Sequence, residues 1–224
     1  MIQGILDIQS NIEPSFDNFV VGKNVDLIYQ IQQLKLGQMV YIWGEKGSGK
    51  THLLKAIIHS FDGRYIDAQK EQVPNFQGEH PHLVGIDNIQ SLDRESQEHL
   101  FYLINEWRES QIQSNAFCLL MTGDHSPFGL SHLREDLRNR LSWDQIWKLE
   151  HLSEHDLMNL FIERASNKGM SCSPQTVLWL FKNYASNASS MMDLLAALDN
   201  YTLSKHRQLS IPLIKEFLEH KDDA

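Results

Sequence analysis

Cysteine is nearly absent: Cys118 and Cys172 are the only two in 224 residues, far apart and in no metal-ligand spacing. That argues against a disulfide framework or a thiolate metal cage and makes a reducing cytoplasm the simplest compartment. Positive charge is also short. Twenty Lys and Arg stand against 29 Asp and Glu, a formal net charge of −9. A protein whose main partner is the DNA backbone is therefore not expected, because affinity for phosphate comes largely from clustered Lys and Arg. Long apolar runs are missing too. No stretch approaches the roughly 18 apolar residues of a membrane helix, and MIQGILDIQSNIEPSFDNF at the N-terminus lacks the basic start of a signal peptide, so a soluble intracellular protein is expected.

What is present is ordinary globular chemistry, 42% hydrophobic and 22% charged, with length enough for a real core. Short apolar runs alternate with longer amphipathic ones. Residues 39–43, 64–67, 82–87, 117–122 and 145–149 read as strands; 50–60 and 93–110 carry helical spacing, as in Leu100, Leu103, Ile104 and Trp107. Strand and helix in alternation predict a parallel α/β sheet with helices on its faces. After Glu150 the strands stop. Ser153 opens a capping pattern before Leu157, Leu160 and Phe161, Gly169 closes that helix and Pro174 starts another; with 191–203 and 211–218 this predicts a bundle of about four short helices. The expected organisation is an N-terminal segment 1–15, an α/β domain 16–150 and a helical lid 151–224.

Gly44 to Thr51 reads G-E-K-G-S-G-K-T, directly after a strand and at the start of a helix. This satisfies the P-loop pattern in full. Gly44, Glu45, Lys46, Gly47, Ser48 and Gly49 would wrap a phosphate with backbone N–H groups, Lys50 would reach the terminal phosphates, Thr51 would offer a hydroxyl to Mg²⁺, and His52 follows in the helix. Asp87, at the end of V-G-I-D-N-I-Q (84–90), would hold the Mg²⁺ through water, a strand-end helix cap being the alternative. Its neighbour Asn88 is an amide where a second carboxylate would be expected. An amide takes no proton at neutral pH, so hydrolysis at this site is expected to be slow or absent.

S-F-D-N-F-V-V-G-K-N (15–24), the P-loop extended through H-L-L-K-A, V-G-I-D-N-I-Q, L-L-M-T-G-D (119–124), L-R-N-R-L-S-W (137–143) and S-I-P-L-I-K-E-F-L (210–218) run in order along nearly the whole chain. Together they resemble the AAA+ module of the bacterial replication initiator DnaA, and are most similar to the DnaA-related Hda family, where I-D-N replaces I-D-D. Two differences from the initiator accompany this. Only a short polar stretch, 68–81, joins the second and third strands, and no basic helix-turn-helix follows the lid, so little direct DNA binding is expected.

The resemblance implies roles. Arg140 would be an arginine finger acting in trans on ATP bound to DnaA; a surface salt bridge is the alternative, with Arg134 and Arg138 nearby. Phe19, Val20, Val21 and Gly22 match the segment that packs on adenine, or form a buried linker. Asp124 sits where a polar side chain senses the γ-phosphate, or is a turn residue. A sliding-clamp peptide is implied near the N-terminus, with Gln3, Leu6 and Ile8 agreeing and Gly4 and Asp7 departing; an incidental leucine-bearing end is the other reading. The second sensor arginine is replaced by Ser189, and none of residues 183–204 is an arginine.

The function implied is regulation of replication initiation, with ADP or ATP and Mg²⁺ as ligands, DnaA and the polymerase III sliding clamp as partners, and self-association plausible. An AAA+ ATPase acting as a helicase or clamp-loader type of remodeller is the alternative, and a helicase-loading adaptor of the same fold a third. His80 with His82, and His151 with His155, lack a completing carboxylate or cysteine and read as solvated. Trp107, Trp143, Trp147 and Trp179 read as core.

Overall fold

In the computed structural model, which describes residues 13–112, 115–184, 188–205 and 207–222, five strands pair in the order β2-β3-β4-β1-β5. β1 is Met39–Trp43, β2 Arg64–Asp67, β3 Leu83–Asp87, β4 Cys118–Gly123 and β5 Gln145–Lys148. Every pairing is parallel, with Met39 opposite Leu119, Val40 opposite Gln145, Arg64 opposite Val84 and Leu83 opposite Cys118. Parallel neighbours require crossovers, and helices α2 (Lys50–Ser60), α3 (Arg94–Ser110) and α4 (Glu135–Arg140) lie in three of them; α1 (Val25–Gln32) precedes β1.

The two sheet faces are buried by different helices, following the two-residue alternation of each strand. Met39, Tyr41, Ile86, Leu119 and Met121 pack with Leu100, Leu103, Ile104 and Trp107 of α3 and Leu137 of α4. Val40, Ile42, Leu83 and Leu120 pack with Leu27, Ile28 and Ile31 of α1 and Leu53, Leu54 and Ile57 of α2. The sheet thus separates α4 from the helix that the P-loop opens. The β2–β3 connection, expected to be merely polar, is anchored by buried Val73 and Phe76. The Val73 N–H bonds Ser96 Oγ at 3.1 Å, and His99 Nδ1 meets the Val73 carbonyl at 2.7 Å.

Beyond the sheet, α5 (Glu154–Asn167), α6 (Pro174–Tyr184), α7 (Ala188–Lys205) and α8 (Ile211–Asp222) enclose a hydrophobic cluster of their own, with Phe161, Val177, Leu180, Leu195, Leu198 and Ile214 at its centre. Ser153 and Asp156 form the expected capping box. Gly169, at φ +72°, takes the left-handed turn that ends α5. No helix among the described residues is long and apolar enough to cross a membrane.

One amide ties the N-terminal strap to the sheet-to-lid connection. Buried Asn24 donates Nδ2 to the Glu150 carbonyl at 3.1 Å and accepts the Glu150 N–H on Oδ1 at 2.8 Å. Truncation leaves both Glu150 groups unpaired, at a typical cost of about 1–3 kcal/mol. Asn24→Ala is therefore expected to lower the urea midpoint clearly, whereas Lys23→Ala, at an exposed neighbour, should leave it unchanged.

Two strands begin one residue later than their patterns suggest, at Leu83 and Cys118, and β5 ends one residue earlier, at Lys148. Helices α1 and α4 were not anticipated. They have only 8 and 6 residues, too short for apolar periodicity to declare itself. The core reading of Trp143 is corrected: it lies in the turn after α4 and is 39% exposed, while Trp107 is buried and Trp147 and Trp179 are half-buried.

Candidate functional site

β1 ends at Trp43, and the loop from Gly44 turns into α2 at Lys50. Gly47 and Gly49 adopt φ +84° and +100°, a left-handed conformation that only glycine holds without strain. Gly44 is needed for a different reason: a Cβ there would lie 2.5 Å from the Leu149 carbonyl oxygen and 2.9 Å from Ser48 Oγ. Lys50 Nζ donates to the carbonyls of Gly44 at 2.7 Å and Glu45 at 2.9 Å, bracing the loop from inside. Burial pushes the Lys50 ammonium below the usual lysine range, while the charges of Asp87 and Asp124 pull it back up. The tips of β3 and β4 are thereby brought within electrostatic reach of the P-loop lysine. Ser48 Oγ is buried with no hydrogen-bond partner among the described residues, Glu45 and Lys46 are exposed, and Thr51 faces solvent in the first turn of α2. The unpaired Ser48 hydroxyl, the glycine turn into a helix N-terminus and the Lys50 ammonium held inside the loop suit a phosphate chain.

Asp87 is fully buried. Oδ2 accepts the Tyr65 hydroxyl at 2.8 Å and Oδ1 accepts the Thr122 hydroxyl. Burial, then the neighbouring Asp87 charge, raises the Tyr65 phenol well above its ordinary value. Both oxygens thus already accept a hydroxyl, and each keeps a second acceptor site.

The amide at position 88 has a structural cause that sequence alone did not reveal. Asn88 sits at φ 60°, ψ 45°, a left-handed conformation that asparagine tolerates better than most residues. Its Nδ2 donates to Asp67 Oδ1 at 3.0 Å, and its N–H bonds Thr122 Oγ1 at 3.2 Å. Asp67 ends β2 directly opposite Asp87 in register. A carboxylate at 88 would be turned toward the Asp67 carboxylate with no proton between them; the amide supplies one. Burial works against ionisation of Asp67, but bonds from Asn88, the Gln69 N–H and Lys70 outweigh it, so its pKa lies below the usual range.

Asp124 follows β4 directly, with His125 Nδ1 2.9 Å from its Oδ1. On the other side of the loop, Phe19, Val20, Val21 and Gly22 form a half-buried strap. The Phe19 ring lies 5.6 Å from that of His52, and a Cβ on Gly49 would touch it at 3.4 Å. Burial lowers the His52 pKa; the Ser15 carbonyl, 3.4 Å from Nε2, acts oppositely, and Arg164 adds to the lowering. Arg164 was missed from sequence. It comes from α5, not from 183–204, and its Nη2 donates to the Asn18 carbonyl at 3.0 Å. The side chain of Ser189 lies outside the described residues, as do Gln3, Leu6 and Ile8.

Arg140 closes α4, on the sheet face opposite α2. Asp144, shortly after it, accepts the Met39 N–H at 2.8 Å on Oδ2. Met39 begins β1 and the P-loop follows its other end, so at roughly 3.3 Å per residue about 16 Å of strand lies between them. Arg140 Nε donates to Asn105 Oδ1 at 3.0 Å and Nη1 to the Asp136 carbonyl at 3.2 Å. Its guanidinium lies 3.8 Å from the Phe101 ring centroid. No carboxylate pairs with it among the described residues; the local salt bridge belongs to Arg134, 2.6 Å from Asp136 Oδ2.

The family model described as "Hda, lid domain" matches residues 154–218. An uncharacterized protein of Haemophilus influenzae is 32% identical over 229 residues, spanning 95% of this chain and 96% of that one. The chain belongs to the Hda family of DnaA-related proteins. The fold agrees. Domain III of Thermotoga maritima DnaA superposes with a TM-score of 0.78 at 20% identity, covering 94% of the Hda-family chain and 97% of that domain. AMPPCP-bound DnaA from Aquifex aeolicus gives 0.72 at 18% identity, over 95% of this chain and 71% of that one. The Hda-family chain is thus an AAA+ P-loop fold: a parallel five-stranded sheet followed by a helical lid.

Proposed function

We propose that this Hda-family chain regulates replication initiation by completing the ATPase site of DnaA. The observation that carries this reading is the position of Arg140. It is half-exposed, free of any carboxylate among the described residues, and ends a helix packed on the sheet face opposite the helix that its own P-loop opens. An arginine so placed suits a nucleotide held by a neighbour, where it would stabilise charge developing on the γ-phosphate.

Within this reading, Gly44 to Thr51 holds ADP or ATP, with Mg²⁺ between Thr51 and Asp87 and Asp124 facing the terminal phosphate. The half-buried strap Phe19–Gly22 packs on the base. Asn88 removes a base without leaving a charge conflict at Asp67, so the bound nucleotide serves as a structural clasp between sheet and lid. Residues 1–15 would carry the clamp-binding peptide through Gln3, Leu6 and Ile8, with 16–150 as the nucleotide-binding unit and 151–224 as the lid. The complete P-loop favours a second reading, an ATPase acting on its own nucleotide.

An assay of DnaA-bound ATP separates the two. Conversion to ADP is expected to accelerate when the chain and DNA-loaded clamp are both added; acceleration that persists without clamp would remove the clamp from the account, and none under any condition would remove DnaA.

A further inference from the structure

Around Arg140 the side chains alternate between cations and rings. Arg134 lies 5.3 Å from the Phe101 centroid, Arg140 lies 3.8 Å from Phe101 and 4.9 Å from Trp143, and Arg108 lies 4.6 Å from Trp143. Five residues form one ladder: Arg134, Phe101, Arg140, Trp143, Arg108. Its supports come from two elements. Phe101, Asn105 and Arg108 recur about once per turn along α3 and so share one face. Trp143 belongs to the turn after α4, where its N–H bonds the Arg140 carbonyl at 3.0 Å.

We propose that Trp143, held in place by Arg108, is a positioning residue that fixes the Arg140 guanidinium in the plane and direction needed by a partner's γ-phosphate. This rests on the reading of Arg140 given above. Of the guanidinium's donors, Nε and Nη1 are engaged by Asn105 and the Asp136 carbonyl, and Nη2 has no partner among the described hydrogen bonds. One nitrogen is left for a ligand, while two bonds and two nearby rings hold the rest of the group. A free arginine samples many rotamers, and holding it before the partner arrives removes that ordering cost from the reaction step. The ring also resolves a charge problem. Arg108 and Arg140 both approach one indole, and its electron-rich ring attracts each of them. Trp143 being 39% exposed at a turn, rather than in the core, is consistent with work at an interface.

The test uses the full chain with ATP-loaded DnaA and DNA-loaded clamp, titrating the chain to obtain a maximal rate and a half-saturating concentration separately. Trp143→Leu is expected to lower the maximal rate about tenfold while shifting half-saturation less than about twofold, and Trp143→Phe to restore most of the loss. Arg108→Met, at an exposed site that carries no part of the core, should lower the maximal rate by about two- to fivefold. A normal maximal rate in both Trp143→Leu and Arg108→Met, with Arg140→Ala inactive, overturns this inference and leaves the proposed function standing. Loss confined to half-saturation, or no recovery with phenylalanine, also overturns it. Full activity of Arg140→Ala would sink the proposed function itself.

Discussion

Arg140→Ala is expected to reduce clamp-dependent hydrolysis of DnaA-bound ATP about a thousandfold, the lower end of what arginine fingers contribute. A thousandfold corresponds to about 4 kcal/mol of transition-state stabilisation. Lost activity and lost stability can be told apart. The side chain is half-exposed and gives up two neutral-acceptor hydrogen bonds, to Asn105 and to the Asp136 carbonyl. These bonds involve a charged donor at a half-exposed site, and the contacts with Phe101 and Trp143 are lost with them, so the urea midpoint should fall measurably while nucleotide retention by the chain should not change. Arg140→Lys should recover little. An ammonium keeps the charge but cannot span Asn105 and the Asp136 carbonyl with one planar group beside the Phe101 ring. A lysine variant with near-normal rate would mean that charge alone suffices and that the prepared geometry is irrelevant.

Lys50→Ala should have its effect elsewhere. Lys50 is held against the loop carbonyls of Gly44 and Glu45, with its pKa lowered chiefly by burial. In the nucleotide-free chain its removal gives up two hydrogen bonds but also relieves a desolvated ammonium, and the two effects oppose each other. Stability without ligand should change by no more than about 1–2 kcal/mol. With ligand the difference is large. A nucleotide at a hundred times its Kd stabilises by about 2.7 kcal/mol, and loss of the lysine's charge-assisted contacts should weaken binding about a hundredfold or more and erase most of that gain. Thermal unfolding of both proteins with and without ADP measures it; equal nucleotide-induced shifts would show that the loop is not where nucleotide binds.

Much of the fold was legible because its chemistry is contiguous. The run from β1 through the P-loop into α2 declares itself in one stretch, as do the capping box at Ser153 and Asp156 and the left-handed Gly169. Interactions that join distant positions were not legible. Asn88 read as a missing acid because its partner Asp67 lies on a neighbouring strand, and only the parallel register brings Asp67 and Asp87 side by side. Trp143 read as core because its hydrophobicity was visible and its contact with Arg108, which arrives from α3, was not. Arg164 was overlooked because its partner, the Asn18 carbonyl, lies 146 residues away in the chain and only the fold brings the two together.

The central claim is that the nucleotide hydrolysed is the partner's and not the chain's own. A single-turnover experiment tests it most directly, with labelled ATP preloaded on DnaA in one arm and on this chain in the other, each with DNA-loaded clamp. The account predicts rapid ADP formation on DnaA, abolished by Arg140→Ala, and slow turnover on the chain in every arm. Brisk hydrolysis of the chain's own ATP, with DnaA-bound ATP untouched, would contradict it.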